Sequence, residues 1–310
     1  KLTLPDSVDD RVSRTGEAVR LGSFFPILAW EPGVGWAERP ATGAFAEASM
    51  APVADFAYSV TVPEGLSVLG SGVEGSPGRW RATAHRDIAL SVGRFRTAEA
   101  TAAAPEPVRV VVGVHDGLEE DPARYLDRVV RSLTDFATRF GAYPYRSLTL
   151  ALTPELGGGI EYPGHIMQGP GTIGSTTPHE VGHQWFYGLV GNDQGRDPWL
   201  DEGLASWAEA RFEATVDEFV AAAIPDRAQG RAGEPMTFWE TRQGSYYRGV
   251  YVQGTQALAA LGPADAVDCG LRHYVAGHAF TVATPGDLVS SMRTVFPDAV
   301  ATLAPFGIAA

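Results

Sequence analysis

His179-Glu180-Val181-Gly182-His183 puts two imidazoles four residues apart, with a carboxylate beside the first. On a helix, residues i and i+4 share a face, so both rings can converge on one metal ion, and Glu180 sits where it can reach a water on that metal. Two histidines leave a catalytic zinc one protein ligand short of the usual three, with a fourth position kept open for water. A carboxylate or histidine further along the chain must complete the set. Glu202 is the candidate. It follows His183 after eighteen intervening residues, inside Trp199-Leu200-Asp201-Glu202-Gly203-Leu204-Ala205-Ser206-Trp207. That segment reads as the opening of a second helix, with Leu204, Trp207, Ala208 and Arg211 at helical spacing. The stretch from Gly191 to Pro198 is polar and turn-rich, as a helix–loop–helix return requires. The pattern predicts one zinc ion on His179, His183 and Glu202, with Glu180 as general base. One local feature competes. Thr177-Pro178-His179-Glu180 is also a capping box, with Thr177 as N-cap and Glu180 at N3, and a Glu180 folded back onto the Thr177 amide would not serve the water. The bland alternative is a solvated helix that happens to carry these residues.

Elements must bring these side chains together. Residues 1–98 read as an antiparallel β domain. Strands are expected at Ala54–Val62, Leu66–Leu69, Trp80–Ala84 and Ile88–Val92, with a Gly/Ser-rich turn from Gly70 to Gly78 and punctuation by Pro26, Pro32 and Pro40. Residues 99–107 are Ala/Thr/Pro-rich and read as a linker, with a loose edge loop as the alternative. Beyond it, Val108–Val114 is a buried-strand run, and Asp121-Pro122 opens a helix with Asp as N-cap and Pro at N1. Tyr125, Val129, Leu133, Phe136 and Phe140 give that helix one apolar face, and Gly141 ends it. Ser147–Thr153 is a further strand, and helical segments dominate from Thr176 onward. The fold class is α+β, with residues 108–310 forming a small sheet followed by a mainly helical half.

Composition narrows the functional classes. The chain has 310 residues, of which 45% are hydrophobic and 20% charged, so global disorder is excluded. One cysteine, Cys269, permits neither an intrachain disulfide nor a cysteine-based metal cluster. A net charge of -13 argues against nucleic acid and against an anionic membrane surface. No apolar run reaches the ~18–20 residues of a transmembrane helix. The sequence begins at Lys1 rather than Met, so an upstream segment, with any targeting signal in it, is expected to have been removed.

Taken together, HEVGH, the eighteen-residue gap and the WLDEG around Glu202 resemble the aminopeptidase N family of gluzincin metallopeptidases. Two further motifs join them. Gly158-Gly159-Ile160-Glu161-Tyr162 is similar to the family's G-A-M-E-N strand, with Gly for Ala, Ile for Met and Tyr for Asn. Tyr246-Tyr247-Arg248-Gly249 is similar to its Y-x-K-G, with Arg248 for lysine. The resemblance implies an N-terminal β domain followed by a thermolysin-like catalytic domain. It implies that Glu161 binds the free α-amine of a peptide and that the Tyr246 hydroxyl stabilises the oxyanion, with Tyr247 and Tyr251 as nearby competitors. Gly158 and Gly159 lack side chains, so a substrate backbone can approach the strand. The expected partners are peptides with a free N-terminus. The resemblance also implies departures: the first strands of the β domain and the large C-terminal helical-repeat domain are absent, and the segment many members use as a second amine anchor is not recognisable.

Weaker expectations concern neighbouring side chains. Ser206, one turn after Glu202, can orient a ligand imidazole. Asp201 is a candidate N-cap, and His165 is a candidate for the cleft wall but not for a ligand. Trp185, Phe186 and Tyr187 read as packing. Two alternatives to an aminopeptidase stand: a zinc endopeptidase of thermolysin type, and a non-catalytic peptide-binding protein with a retained zinc site.

Overall fold

The computed structural model describes residue 4 and residues 11–28, 30–31, 35–36 and 50–309. Pro32 and Pro40 lie outside the described residues. The chain divides into two compact units, one of residues 1–28, 53–137 and 142–184, the other of residues 29–52, 138–141 and 185–310.

The first unit is built on sheets. Val12–Thr15, Ala18–Gly22, Ala89–Gly93 and Ser67–Gly70 pair antiparallel in that order. Ala54–Ser59, Arg79–His85 and Val73–Ser76 make a second antiparallel sheet. The strand Val73–Ser76 lies in the Gly/Ser-rich stretch that reads as a turn; all four of its residues are exposed, so no burial pattern marks it.

A five-stranded mixed sheet follows, in the order Phe95–Ala103, Pro107–His115, Ser147–Leu152, His165–Gln168, Gly159–Tyr162. Its central strands pair parallel, and their near-continuous apolar runs suit a strand covered on both faces. Residues 99–107 are not a linker. Phe95–Ala103 pairs antiparallel with Pro107–His115 from Phe95 opposite His115 to Ala103 opposite Pro107. The Ala/Thr-rich composition is that of an edge strand with small side chains, and only the 104–106 turn breaks the ladder.

Between the second and third of these strands runs the helix Pro122–Phe140. Asp121 caps it, its Oδ1 accepting from the Ala123 amide at 2.9 Å, and Gly141, at φ +113°, ends it. Tyr125, Val129, Leu133, Phe136 and Phe140 are all buried, as the spacing predicts.

Helices make up most of the second unit. Trp199–Glu213 is buried from Trp199 to Ala210. It crosses Gln253–Leu261 at a glycine pair: a Cβ at Gly254 would lie 2.8 Å from the Gly203 Cα. Only glycines let the two backbones approach so closely. Gln243–Tyr247 leads through a π-helical segment, Arg248–Val252, into Gln253–Leu261. Such a segment holds an extra residue within a helix and is frequent at functional sites. Periodicity alone did not indicate it. Among the described residues no helix is long and apolar enough to cross a membrane.

Candidate metal centre

HEVGH lies on the helix Thr176–Gly182, whose N-cap is Ser175. The expected capping box is therefore not formed. The helix starts before Thr177, and the Thr177 hydroxyl is exchanged with the Gln168 amide, accepting from Nε2 at 2.9 Å and donating to Oε1 at 3.3 Å. Pro178 falls in the first turn, where backbone N–H groups have no intrahelical partner to lose. Glu180 thus lies beyond the capping position.

His179 and His183 are buried, and their rings meet at 4.7 Å with their planes 79° apart. Their Nε2 atoms face each other at 3.1 Å. Two imidazole nitrogens sharing one tetrahedral zinc at ~2.0–2.1 Å would stand about 3.3 Å apart, so the spacing fits a shared ion. Glu202, in the first turn of Trp199–Glu213, is buried as well. His179, His183 and Glu202 each offer a ligand atom within 4.8 Å of the others. Two imidazoles and one carboxylate are the donor set of a catalytic zinc. Asp201 is not the N-cap, which is Pro198; it sits inside the helix, accepting from Gln194 Nε2 at 2.7 Å and from the Glu202 amide at 3.0 Å. The Ser206 Oγ is buried without a hydrogen-bond partner among the described residues, so it does not orient an imidazole.

Glu161 lies on the edge strand Gly159–Tyr162. Strand alternation puts Ile160 and Tyr162 on one face, in an apolar cluster with Ala89, Leu156 and Met167. Gly159 and Glu161 take the other face. Glu161, Glu180 and His183 are all buried, with ligand atoms within 4.8 Å of one another. Gly158 has open space about it, whereas a Cβ at Gly159 would run into Glu180. The Tyr162 hydroxyl, by contrast, lies against Gly22 and accepts from Arg11 at 3.4 Å.

Gln184 was not singled out by sequence, though it directly follows HEVGH. Fully buried, it donates to the Tyr162 carbonyl at 3.0 Å and accepts from the Gly164 amide at 2.8 Å. It ties the turn after Glu161 to the residue after the second histidine. Gln168 does similar work at the front of the helix.

Burial separates the tyrosines. Tyr246 is 3% exposed, against 54% for Tyr247. The Tyr246 ring stands 5.9 Å from Trp239 and 5.6 Å from Tyr251. Trp239 is packing: it lies where a Gly249 Cβ would be, and its Nε1 donates to the Glu234 carbonyl at 3.0 Å. Trp185, Phe186 and Tyr187 are buried too.

His165 does not line a cleft. Fully buried, its Nε2 meets Ser91 Oγ at 2.9 Å and its Nδ1 meets Thr149 Oγ1 at 2.6 Å. Burial pushes it down to about 3. His85 is buried against Tyr145 and pushed down to about 4. Asp87 is pushed up to about 6, chiefly by burial and with a smaller push from Glu161, against a hydrogen bond from Ser23.

No family model and no curated protein matches the chain. Solved structures do. An M1 zinc metallopeptidase from Deinococcus radiodurans is similar with a TM-score of 0.64 and 22% identity, over 83% of this chain and 65% of that one. A single-residue variant from Deinococcus radiodurans bound to a Tyr-Ser-Ala substrate gives 0.66 and 23%, over 84% and 66%. A two-domain M1 zinc metallopeptidase variant bound to L-arginine gives 0.63 and 21%, over 83% and 64%. The fold is that of the M1 zinc metallopeptidases. This chain spans about 65% of the length of these M1 structures. The M1 fold accounts for the α+β order, an antiparallel N-terminal β part before a helical half.

Proposed function

We propose that this protein is a zinc-dependent peptidase that removes N-terminal residues from peptides. One observation carries the reading. A buried carboxylate on an edge strand, Glu161, shares a 4.8 Å cluster with the carboxylate and second histidine of the HEVGH motif. Metal chemistry alone does not require Glu161. An α-ammonium suits it: a carboxylate beside HEVGH, two residues from the Gly159 end of the strand, is the group that the G-A-M-E-N resemblance assigns to amine binding.

His179, His183 and Glu202 would hold the zinc, which when bound supplies Lewis acidity and a more acidic water. Glu180 takes a proton from the attacking water and delivers it to the leaving amine. Tyr246 donates a hydrogen bond to the oxyanion as the carbonyl becomes tetrahedral. Glu161 pairs with the α-ammonium and so fixes which bond is cut. Gly158 leaves the strand open to the substrate backbone. That solved M1 structures are described with a tripeptide and with single amino acids supports substrates of this class.

The test compares a short peptide with its N-acetylated twin on zinc-loaded protein. Cleavage of the free peptide alone, one residue at a time, is expected. Cleavage of both would replace this reading with an endopeptidase, keeping the zinc chemistry and demoting Glu161. Turnover of neither by folded, zinc-loaded protein would favour a non-catalytic peptide binder.

A further inference from the structure

We infer that Gln184 is a positioning residue for Glu161: its buried side-chain amide, directly behind the second histidine, holds the strand that carries the amine-binding carboxylate against the zinc-binding helix. Glu161 lies between two ties. Gly159–Tyr162 pairs with His165–Gln168, with Gly159 opposite Gln168 and Tyr162 opposite His165. At the first end, Gln168 Nε2 donates to Thr177 Oγ1 at 2.9 Å, on the front of the helix that carries HEVGH. At the second end, Gln184 Nε2 donates to the Tyr162 carbonyl at 3.0 Å, and Gln184 Oε1 accepts from the Gly164 amide at 2.8 Å. Gln168, Thr177 and Gln184 are all fully buried. The strand is thus fastened to both ends of the helix, with Glu161 between the fastenings.

The second tie is the one that governs Glu161. Its acceptor is the carbonyl of the next residue, so any shift of Tyr162 is passed to Glu161 through a single rigid peptide plane. The main chain between the two bonds is the turn Pro163-Gly164, with Gly164 at φ +70°. That turn is closed in. The Gly164 carbonyl accepts from the Thr149 amide at 3.0 Å, and a Cβ at Gly164 would stand 3.1 Å from Nε2 of the buried His85. A carbonyl and an N–H presented to one side chain need a donor and an acceptor together. Glutamine offers both, a glutamate carboxylate only acceptors, and leucine neither. Without the amide, the Gly164 N–H loses its acceptor and this end of the strand loses its tie to the helix.

The consequence for substrate rests on the reading of Glu161 as the amine-binding group; the tie itself does not. The test is Gln184→Leu in the full zinc-loaded chain, with Gln184→Glu as a milder variant that keeps the acceptor for Gly164 and loses the donor to Tyr162. Zinc content is expected to be unchanged; zinc lost from either variant would overturn the inference by making Gln184 a support of the metal. The KM for a free peptide is expected to rise about 10-fold in Gln184→Leu with kcat nearly kept, the low end of what a hydrogen bond to a charged group is worth. Gln184→Glu should raise KM about 3-fold, the scale of one neutral hydrogen bond. A control removes a glutamine outside this strand and helix: Gln256, whose Nε2 donates to the Phe219 and Ala222 carbonyls at 2.9 and 2.8 Å. Gln256→Leu should lower Tm and leave KM alone. An unmoved KM in the folded Gln184 variants, or an equal rise in Gln256→Leu, would overturn the inference. A readout free of turnover is deuterium exchange at the Gly164 amide. It should be slow in the parent and in Gln184→Glu, and faster in Gln184→Leu by more than at the amides of Ser147–Leu152. An unchanged rate would overturn the tie. If exchange rises while the parent cleaves free and N-acetylated peptides alike, the tie stands and the reading of Glu161 fails.

Discussion

Two buried places in this molecule are built around histidine, and they are arranged in opposite ways. At His165 each ring nitrogen is matched to a hydroxyl, Ser91 on one side and Thr149 on the other. In HEVGH two ring nitrogens are turned toward each other at 3.1 Å, with Glu202 contributing to the same cluster. Both places are buried; only the second converges. Saturating a histidine with neutral hydroxyls and removing it from water silences it. Aiming two at one point prepares a place for a cation.

The sharpest way to break the comparison is to exchange losses. His183→Ala or Glu202→Ala should abolish zinc retention and turnover together, whereas His165→Leu should keep both. Zinc content by atomic absorption beside a peptide assay checks this. Full zinc occupancy in Glu202→Ala would remove Glu202 from the ligand set.

Next in size, Glu180→Gln should lower turnover by at least about 10²–10⁴-fold, the range for general acid–base catalysis, with zinc kept. Loss of zinc in that variant would make Glu180 a ligand instead. Tyr246→Phe should lower kcat about 10²–10³-fold with little change in KM, the scale of losing an oxyanion donor. Tyr247→Phe, at a half-exposed ring, should leave both constants alone. A reversal between the two would put the oxyanion donor one residue later.

The smallest effects fall on stability. His165→Leu strands the Ser91 hydroxyl, while Thr149 keeps its bond to the Gly70 carbonyl, and should cost about 1–3 kcal/mol in a denaturant titration. The pH dependence sharpens the contrast. His165, held at about 3, and His85, at about 4, stay neutral in the fold while the unfolded chain protonates near 6.5. Their depressed values contribute stability above pH 6.5 that is lost as pH falls toward 4. Asp87 acts with the opposite sign: raised to about 6, it favours the fold below its ordinary value of 3.8 and loses that contribution as pH rises through 6. Two histidines oppose one carboxyl, so Tm should climb between pH 4 and 6. His165→Leu should flatten the climb, and a profile of unchanged slope would show that His165 is not held neutral.

Much of this was legible in the sequence. HEVGH with Glu202 named the centre because i and i+4 spacing is a property of any helix. The helix from Asp121-Pro122 to Gly141 followed from its cap, its apolar face and its stop. What escaped was set by pairing at a distance. The Phe95–Ala103 strand carries small residues whose alternation has little hydrophobic contrast, so it reads as a loop until its partner is known. Gln184 has no signature, because a buried glutamine clamping a turn looks like any polar residue after a helix. Gly159 was legible as a glycine, but not that the Glu180 side chain, twenty-one residues further on, would lie where its Cβ would be. The π-helical segment leaves no periodic mark over five residues.

That segment makes the number of residues in one helix a determinant of aim. Gln253–Leu261 is clamped at Gly254 against Gly203, the neighbour of Glu202, and cannot turn about its axis. Tyr246 reaches that clamp only through Arg248–Val252. Each residue advances an α-helix by about 100°, so deleting one residue there would swing the Tyr246 phenol through more than a quarter of a circle while leaving every side chain in the clamp unchanged. Chain length, in this stretch, is an angular coordinate: the tyrosine can be re-aimed by an insertion or deletion that alters no site residue at all.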